Sequence, residues 1–318
     1  MKPKKPRAPE PREERPSEPT VAAVVRGRLD VSWTRARELV ETGRVTVNGV
    51  LCRDPALRVP PGAEVVCDPK APKLRRGVLP DEAIVYADRD VVVVEKPAGV
   101  LSVPYEDGDK DTLVDMTRAA LRRRRRSGDT FDPDLGVVHR LDKDTTGLLV
   151  FARSFTAKKH LAAQFRAHTV ERAYLAIVHG HAGDRRHDTW LVGDRGDGLR
   201  GSYGVFRRPQ GGPPPEARRA ITDVRLVERL HGASLVECVL STGRQHQIRI
   251  HLSEDGHPLV GEKVYVRDFE GTRVEADRPM LHAYRLGFVH PRSEEIVRFE
   301  SPLPKDFDET LRRLRRGR

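Results

Sequence analysis

From Asp81 onward the chain breaks into strand-length apolar runs, turns and a few helices, in an order without regular βα alternation. AIVYADRDVVVVEK reads as two strands about an Asp-Arg-Asp turn, and ERAYLAIVHG as a third. AITDVRLVERLHGASLVECVLSTG reads as a hairpin about His231-Gly232. Residues 111–126 and 154–168 carry helical stripes (Leu113, Met116 and Leu121; Ala157, Leu161 and Phe165), and QHQIRIHLSEDG reads as a short helix closed by Gly256. Strands with interspersed helices but no βαβ rhythm specify an α+β fold, a mixed and largely antiparallel sheet with flanking helices.

A smaller unit precedes this one. Residues 1–20 are Pro, Glu, Arg and Lys with almost nothing to bury, and are expected to be disordered. Over 21–69, Ser32 is placed to cap a helix at Trp33–Glu41 that Gly43 ends. VTVNG is a strand entering an Asn-Gly turn, and PPGAEVV ends in a second short strand. One helix and two or three strands make a small α/β module. Residues 70–80, basic and Pro-rich, read as a linker, 81–305 as the main domain and 306–318 as a basic C-terminal tail.

Charge narrows the partners. The formal net charge of +11 favours a polyanion, with five consecutive arginines at Arg122–Arg126 and an RRLRRGR terminus as possible phosphate contacts. Aromatic residues are 5% of the chain, too few to tile a sheet with base-stacking rings. No apolar run is long enough for a bilayer, and the N-terminus lacks the apolar core of a signal peptide, so a cytoplasmic protein without membrane attachment is expected. Cys52, Cys67 and Cys238 are scattered, as structural thiols are.

Phosphate-cradling, dinucleotide-binding and serine-hydrolase motifs are absent. His246 and His251 lie five apart, which points them to different helix faces, unlike a zinc-binding pair. A metal on His139, Asp142 and Asp144 is outweighed by the simpler reading, carboxylates held by the Arg and Lys around them. What remains is charge in an unusual place. VVHRLDKDTTGLLVFARS sets His139, Arg140, Asp142, Lys143 and Asp144 between two apolar segments, and Gly147 closes the loop. Two further segments join strand or helix texture to charge: Glu171-Arg172-Ala173-Tyr174, and Ser241-Thr242-Gly243-Arg244-Gln245-His246-Gln247-Ile248-Arg249. On the helix of the last, Ile248 and Leu252 form an apolar pair facing the core, and Gln245 and Arg249 a polar pair on a neighbouring face.

HRLDKDTTG, with the upstream EKPAGVLSVP, the RAYLAIVHG strand and TGRQHQIRIHL, closely resembles the RluA family of pseudouridine synthases over about residues 81–304. The family's HRLDxxTSG motif is kept except for Thr146 in place of Ser. The module at 21–68 resembles the alpha-L, ribosomal S-four type RNA-binding domain. The resemblance implies an enzyme that flips a uridine out of RNA, breaks its N-glycosidic bond and rejoins the base through C5, without cofactor or metal. Asp142 would be the catalytic carboxylate, whether it adds to the anomeric carbon or removes the 2′ proton. Arg249 would be its buried basic partner, and Tyr174 would pack on the flipped base and help remove the C5 proton. Arg140 would fill the gap in the RNA or hold a phosphate. Arg244, Gln245, His139 and Lys96, with Arg35 in the small module, complete the candidate RNA-binding set. Of these, His139 reads more as a loop-packing residue than an acid or base, and Lys96-Pro97 as a brace. Thr145, Thr146 and Gly147 are expected to shape the loop, with Asp144 a helper or spectator. The module tilts the substrate towards large-subunit ribosomal RNA or a pre-ribosomal particle, with a monomer as the default. A tRNA-modifying enzyme and a non-catalytic ribosome-assembly factor are the alternatives.

Overall fold

The computed structural model describes residues 18–52, 54–71, 79–106, 109–124, 134–206 and 211–317. They fall into two compact units that divide between Gly77 and Val78.

The first unit contains α1 (Val21–Leu29), α2 (Trp33–Glu41) and a three-stranded antiparallel sheet of β1 (Val45–Val47), β2 (Val50–Cys52) and β3 (Val65–Cys67), with β1 central. Thr20 and Ser32 cap the two helices, each side-chain oxygen accepting from a backbone N–H three residues on. Val21, Val25, Ala36, Leu39, Val40 and Val45 close one core between helices and sheet. Only α2 was expected. α1 was missed because its three valines are poor helix formers, and it extends the module back to Thr20, at the end of the segment read as disordered. Residues 1–17 lie outside the described residues.

The second unit is built on an eleven-stranded sheet among the described residues. Its elements in chain order are β4 (Ile84–Ala87), β5 (Val91–Lys96), α3 (Leu113–Arg123), β6 (Gly136–Val137), β7 (Thr146–Ala152), α4 (Phe155–Ala167) and β8 (Glu171–His179). There follow β9 (Arg185–Val192), β10 (Gly201–Ser202), β11 (Arg218–Leu230), β12 (Ala233–Leu240), α5 (Gln247–Glu254), β13 (Leu281–Val289), β14 (Ile296–Glu300) and α6 (Lys305–Arg315). The strands run β10-β9-β11-β12-β8-β13-β7-β5-β4, with β14 beside β13 and β6 beside β7. Among the described residues only β13 and β7 pair in parallel, so the sheet is mixed and largely antiparallel, as expected.

Strand alternation sorts the core into two faces. Val92, Val94, Leu149, Phe151 and Tyr174 join α3 and the Ile248–Leu252 pair of α5 on one. Val91, Val93, Leu148 and Val150 pack on the other against Ala157 and Leu161 of α4. With both faces covered, β5 and β7 are apolar nearly throughout, so the chain must leave β7 to display charge.

The C-terminal segment corrects an expectation. The described part of the segment expected to be a tail, residues 306–317, is not one. Lys305–Arg315 is helical, and Phe307, Leu311 and Leu314 enter a core with Ile177, Leu230 and Met280. Its arginines are engaged as well, Arg312 with Asp308 and Arg315 with Glu228. Arg123 and Arg124 of the arginine run pair with Asp81, while Arg125 and Arg126 lie outside the described residues. Among the described residues no helix is long and apolar enough to cross a membrane.

Candidate active site

Asp142 stands on the loop between β6 and β7, and this loop is pinned from below by side chains that seize its backbone. Ser102 Oγ donates to Leu141 O (2.8 Å) and accepts from Leu141 N (3.0 Å). Lys96 Nζ, almost fully buried, donates to Lys143 O (2.6 Å) and Pro97 O (3.0 Å). Arg278 Nη1 donates to Asp144 O at 3.2 Å. Thr145 N closes the turn on Asp142 O (3.1 Å), and Thr146 Oγ1 meets His282 Nδ1 at 3.0 Å. Gly147 has φ +112°, and a Cβ there would lie 2.2 Å from Ala283 O on β13, so only glycine lets the loop re-enter the sheet.

The Asp142 carboxylate, a quarter exposed, opens into a cleft of about 570 Å³ between this loop, α4, β8 and the start of α5. Arg249 Nη1 lies 3.8 Å from Asp142 Oδ2. The expected pairing is therefore present in space, across more than a hundred residues of chain. Arg249's strong contacts go elsewhere. Its Nε and Nη2 donate to both oxygens of Glu262 (2.8 and 2.7 Å), whose carboxylate is fully buried and also accepts from the backbone N–H of Lys263, Val264 and Tyr265. Burial opposes the charge of both partners, but their hydrogen-bonded pairing outweighs it, lowering the Glu262 pKa and raising that of Arg249. Glu262 thus fixes the cation that faces Asp142. Sequence reading missed it, because a lone Glu in GEKVY carries no signal until the fold brings it under Arg249.

His246 approaches Asp142 from the other side, Nε2 to Oδ1 at 3.9 Å, with Nδ1 on Tyr265 Oη at 2.8 Å. Burial lowers its pKa, and this outweighs the attraction of Asp142. It occupies a left-handed position (φ 57°) just before α5. The helix begins at Gln247, so Gln245 is not on it and the expected Gln245–Arg249 helical pair does not form. Gln245 is exposed at the cleft mouth, while Gln247 is buried and staples the turn to β11 through Ile221 O and Thr222.

Tyr174 lies in the cleft wall, 8% exposed, its hydroxyl pushed up to about 12 by burial, with the Asp142 charge adding to the shift. It is therefore protonated at neutral pH. His139 stacks on Phe165, and its Nε2 accepts from Val150 N (3.1 Å). Burial pushes its pKa down to about 3, so the ring is neutral and committed to the fold. Arg140 is exposed on the rim. Arg244 lines the cleft with Nε on Arg219 O (3.0 Å). In the small unit, Arg35 is on α2, partly exposed and paired with Glu38. Lys96, counted above among RNA-binding candidates, is enclosed beneath the loop. Among the described residues no three His, Cys, Asp or Glu side chains gather as a metal-binding group.

Comparison with known proteins agrees with this architecture. Residues 90–254 match the RNA pseudouridylate synthase family and residues 22–65 the S4 domain. An uncharacterized RNA pseudouridine synthase of Synechocystis is 34% identical over 90% of this chain and 86% of its own length. Ribosomal large subunit pseudouridine synthase D of Zymomonas mobilis is 36% identical over 87% of each. Human RNA pseudouridylate synthase domain containing 4 shares the fold, with a TM-score of 0.60 at 23% identity, over 74% of this chain and 93% of that one. With this coverage and the cleft described above, the chain belongs to the RNA pseudouridylate synthase family, as an enzyme with an N-terminal S4 RNA-binding domain.

Proposed function

We propose that this protein converts specific uridines of large-subunit ribosomal RNA to pseudouridine in the cytoplasm, with Asp142 as the reacting carboxylate. The observation that carries the reading is the setting of Asp142. It is presented into the cleft from a loop locked by Ser102, Lys96 and Arg278, between the guanidinium of Arg249 and the imidazole of His246. Either route, addition to the anomeric carbon or removal of the 2′ proton, needs an ionised oxygen held still beside the sugar. A permanent cation at 3.8 Å suits that need. The wall formed by Tyr174 suits a flipped base, and the protonated hydroxyl would act there as a hydrogen-bond donor rather than a base. Arg140 on the rim would meet the strand left behind. Relatives named for the large ribosomal subunit, together with the S4 domain, favour ribosomal RNA.

Pseudouridine mapping in rRNA and tRNA from a deletion strain, complemented with wild type or Asp142→Asn, tests both parts. The expected result is one or more large-subunit sites lost on deletion, restored by wild type and not by the variant. Sites lost only in tRNA would overturn the substrate. Restoration by Asp142→Asn would overturn the carboxylate. No lost site in either RNA would favour a binding factor.

A further inference from the structure

We propose that Arg172 is the anion-binding group of the cleft and takes a phosphodiester of the substrate strand beside the target nucleotide. This rests on the reading of the cleft as a uridine site, and it concerns a residue with no role so far. Arg172 is on β8, two residues before Tyr174 and therefore on the same face, and it lines the same cleft. It is 8% exposed, and its guanidinium lies over the ring of Phe165 (5.7 Å to the centroid) with no anion beside it among the described residues. Its Nε has no hydrogen-bond partner, and Nη2 makes one long contact, to Leu240 O at 3.4 Å. Its neighbour Glu171 is turned to Arg298, and no ion pair joins Arg172 to a carboxylate among the described residues.

Other enclosed arginines of this unit are answered. Arg249 has Glu262, Arg278 has Asp306, and Arg195 has Asp197. A desolvated guanidinium without an anion is costly, so its survival here calls for a partner that arrives from outside. The surroundings sharpen the point. Arg244 and His168 line the same end of the cleft, and the charges of Arg172 and Arg244 both hold the His168 pKa below its ordinary value, after burial. The cleft is therefore divided. At one end Asp142 and Glu262 balance Arg249, and at the other Arg172 and Arg244 converge with no carboxylate paired to Arg172 among the described residues. A neutral uracil carbonyl would leave that charge uncompensated. A phosphodiester would neutralise it and matches the guanidinium fork.

Gly243 supports the assignment. A Cβ at that position would lie 2.4 Å from Arg172 Nη1, so the TGRQ turn leaves its glycine where the guanidinium needs room.

The test is titration of the full chain with uridine, 3′-UMP and 5′-UMP at matched ionic strength. Wild type should bind one monophosphate at least about tenfold more tightly than uridine, as a charge-assisted contact allows. Arg172→Gln should erase that preference and leave uridine affinity within about twofold, while the free protein melts no lower than wild type because an unbalanced cation is gone. Gly243→Ala, which displaces Nη1 without removing charge, should also weaken the preference. Three results would overturn the proposal: no monophosphate preference in wild type, including no binding at all; equal loss of uridine binding in Arg172→Gln, which would place the guanidinium on the base; or a lower melting temperature with the preference intact, which would make Arg172 structural. Pseudouridine formation in rRNA is read separately. A wild type that prefers a monophosphate but forms no pseudouridine would keep this subsite and sink the proposed reaction.

Discussion

Glu262→Gln probes how the fold holds the cation opposite Asp142. The substitution keeps an oxygen that can accept from the backbone N–H of Lys263 and Val264, but removes the charge that Arg249 grips at 2.7 and 2.8 Å. Breaking a buried ion pair on one side costs about 3–5 kcal/mol, and the retained backbone bonds place this case near 3 kcal/mol. In a unit of this size that lowers the melting temperature by about 6–12 °C. The sign of the pH dependence follows from the direction of the shift. Glu262 is held below its ordinary 4.5 in the folded state, so its stabilisation is complete above that value and is lost as pH falls through the folded pKa. The gap between wild type and variant should therefore be full at pH 7 and shrink as the solution is acidified below 4.5. Arg249, freed from its anchor, has Asp142 as its remaining carboxylate neighbour at 3.8 Å, so the site should misalign. A single-turnover rate at saturating RNA about tenfold lower or more is expected, although Glu262 is not placed to touch substrate. Calorimetry across pH and single-turnover kinetics check both. A stability gap independent of pH, or a full rate in the destabilised variant, would refute the reasoning.

Gly147→Ala places a Cβ 2.2 Å from a backbone oxygen at a left-handed φ, and should cost more than about 3 kcal/mol or abolish soluble expression. A melting temperature within about 2 °C of wild type would contradict it. Lys96 is pushed down to about 7 by burial, against the pull of Asp144 and Asp142. Between that value and its ordinary 10.5 the unfolded chain holds a proton the folded one has released, so stability gains with rising pH in that window. Lys96→Met should remove this gain, and parallel denaturation midpoints for the two proteins from pH 7 to 9 would show the reasoning to be wrong.

The α+β class, the hairpin at His231-Gly232 and the helices of residues 113–123 and 155–167 follow from local pattern. Alternation, turn glycines and capping residues such as Ser154 act over a few residues and can be read there. Two helices escaped this reading for opposite reasons. Val21–Leu29 is too rich in valine to look helical, and Lys305–Arg315 is so charged that its Phe307, Leu311 and Leu314 stripe passed as part of a tail. In the site, a distinctive motif singled out Asp142, Tyr174 and Arg249, which line one cleft, but not the company they keep. His139 and Lys96 belong to the same motif segments, yet their polar atoms face the fold.

By itself the sequence determined the α+β class, the hairpin at His231-Gly232, the helices of residues 113–123 and 155–167, the family and the loop that presents a carboxylate. Only the tertiary structure decided that Arg249 is gripped by Glu262 before it faces Asp142, and that Arg172 is enclosed without an anion. The reason is physical. Whether a charge is balanced depends on what lies within a few ångströms in space, and residues 142, 249 and 262 become neighbours only once the sheet and its helices have closed around them.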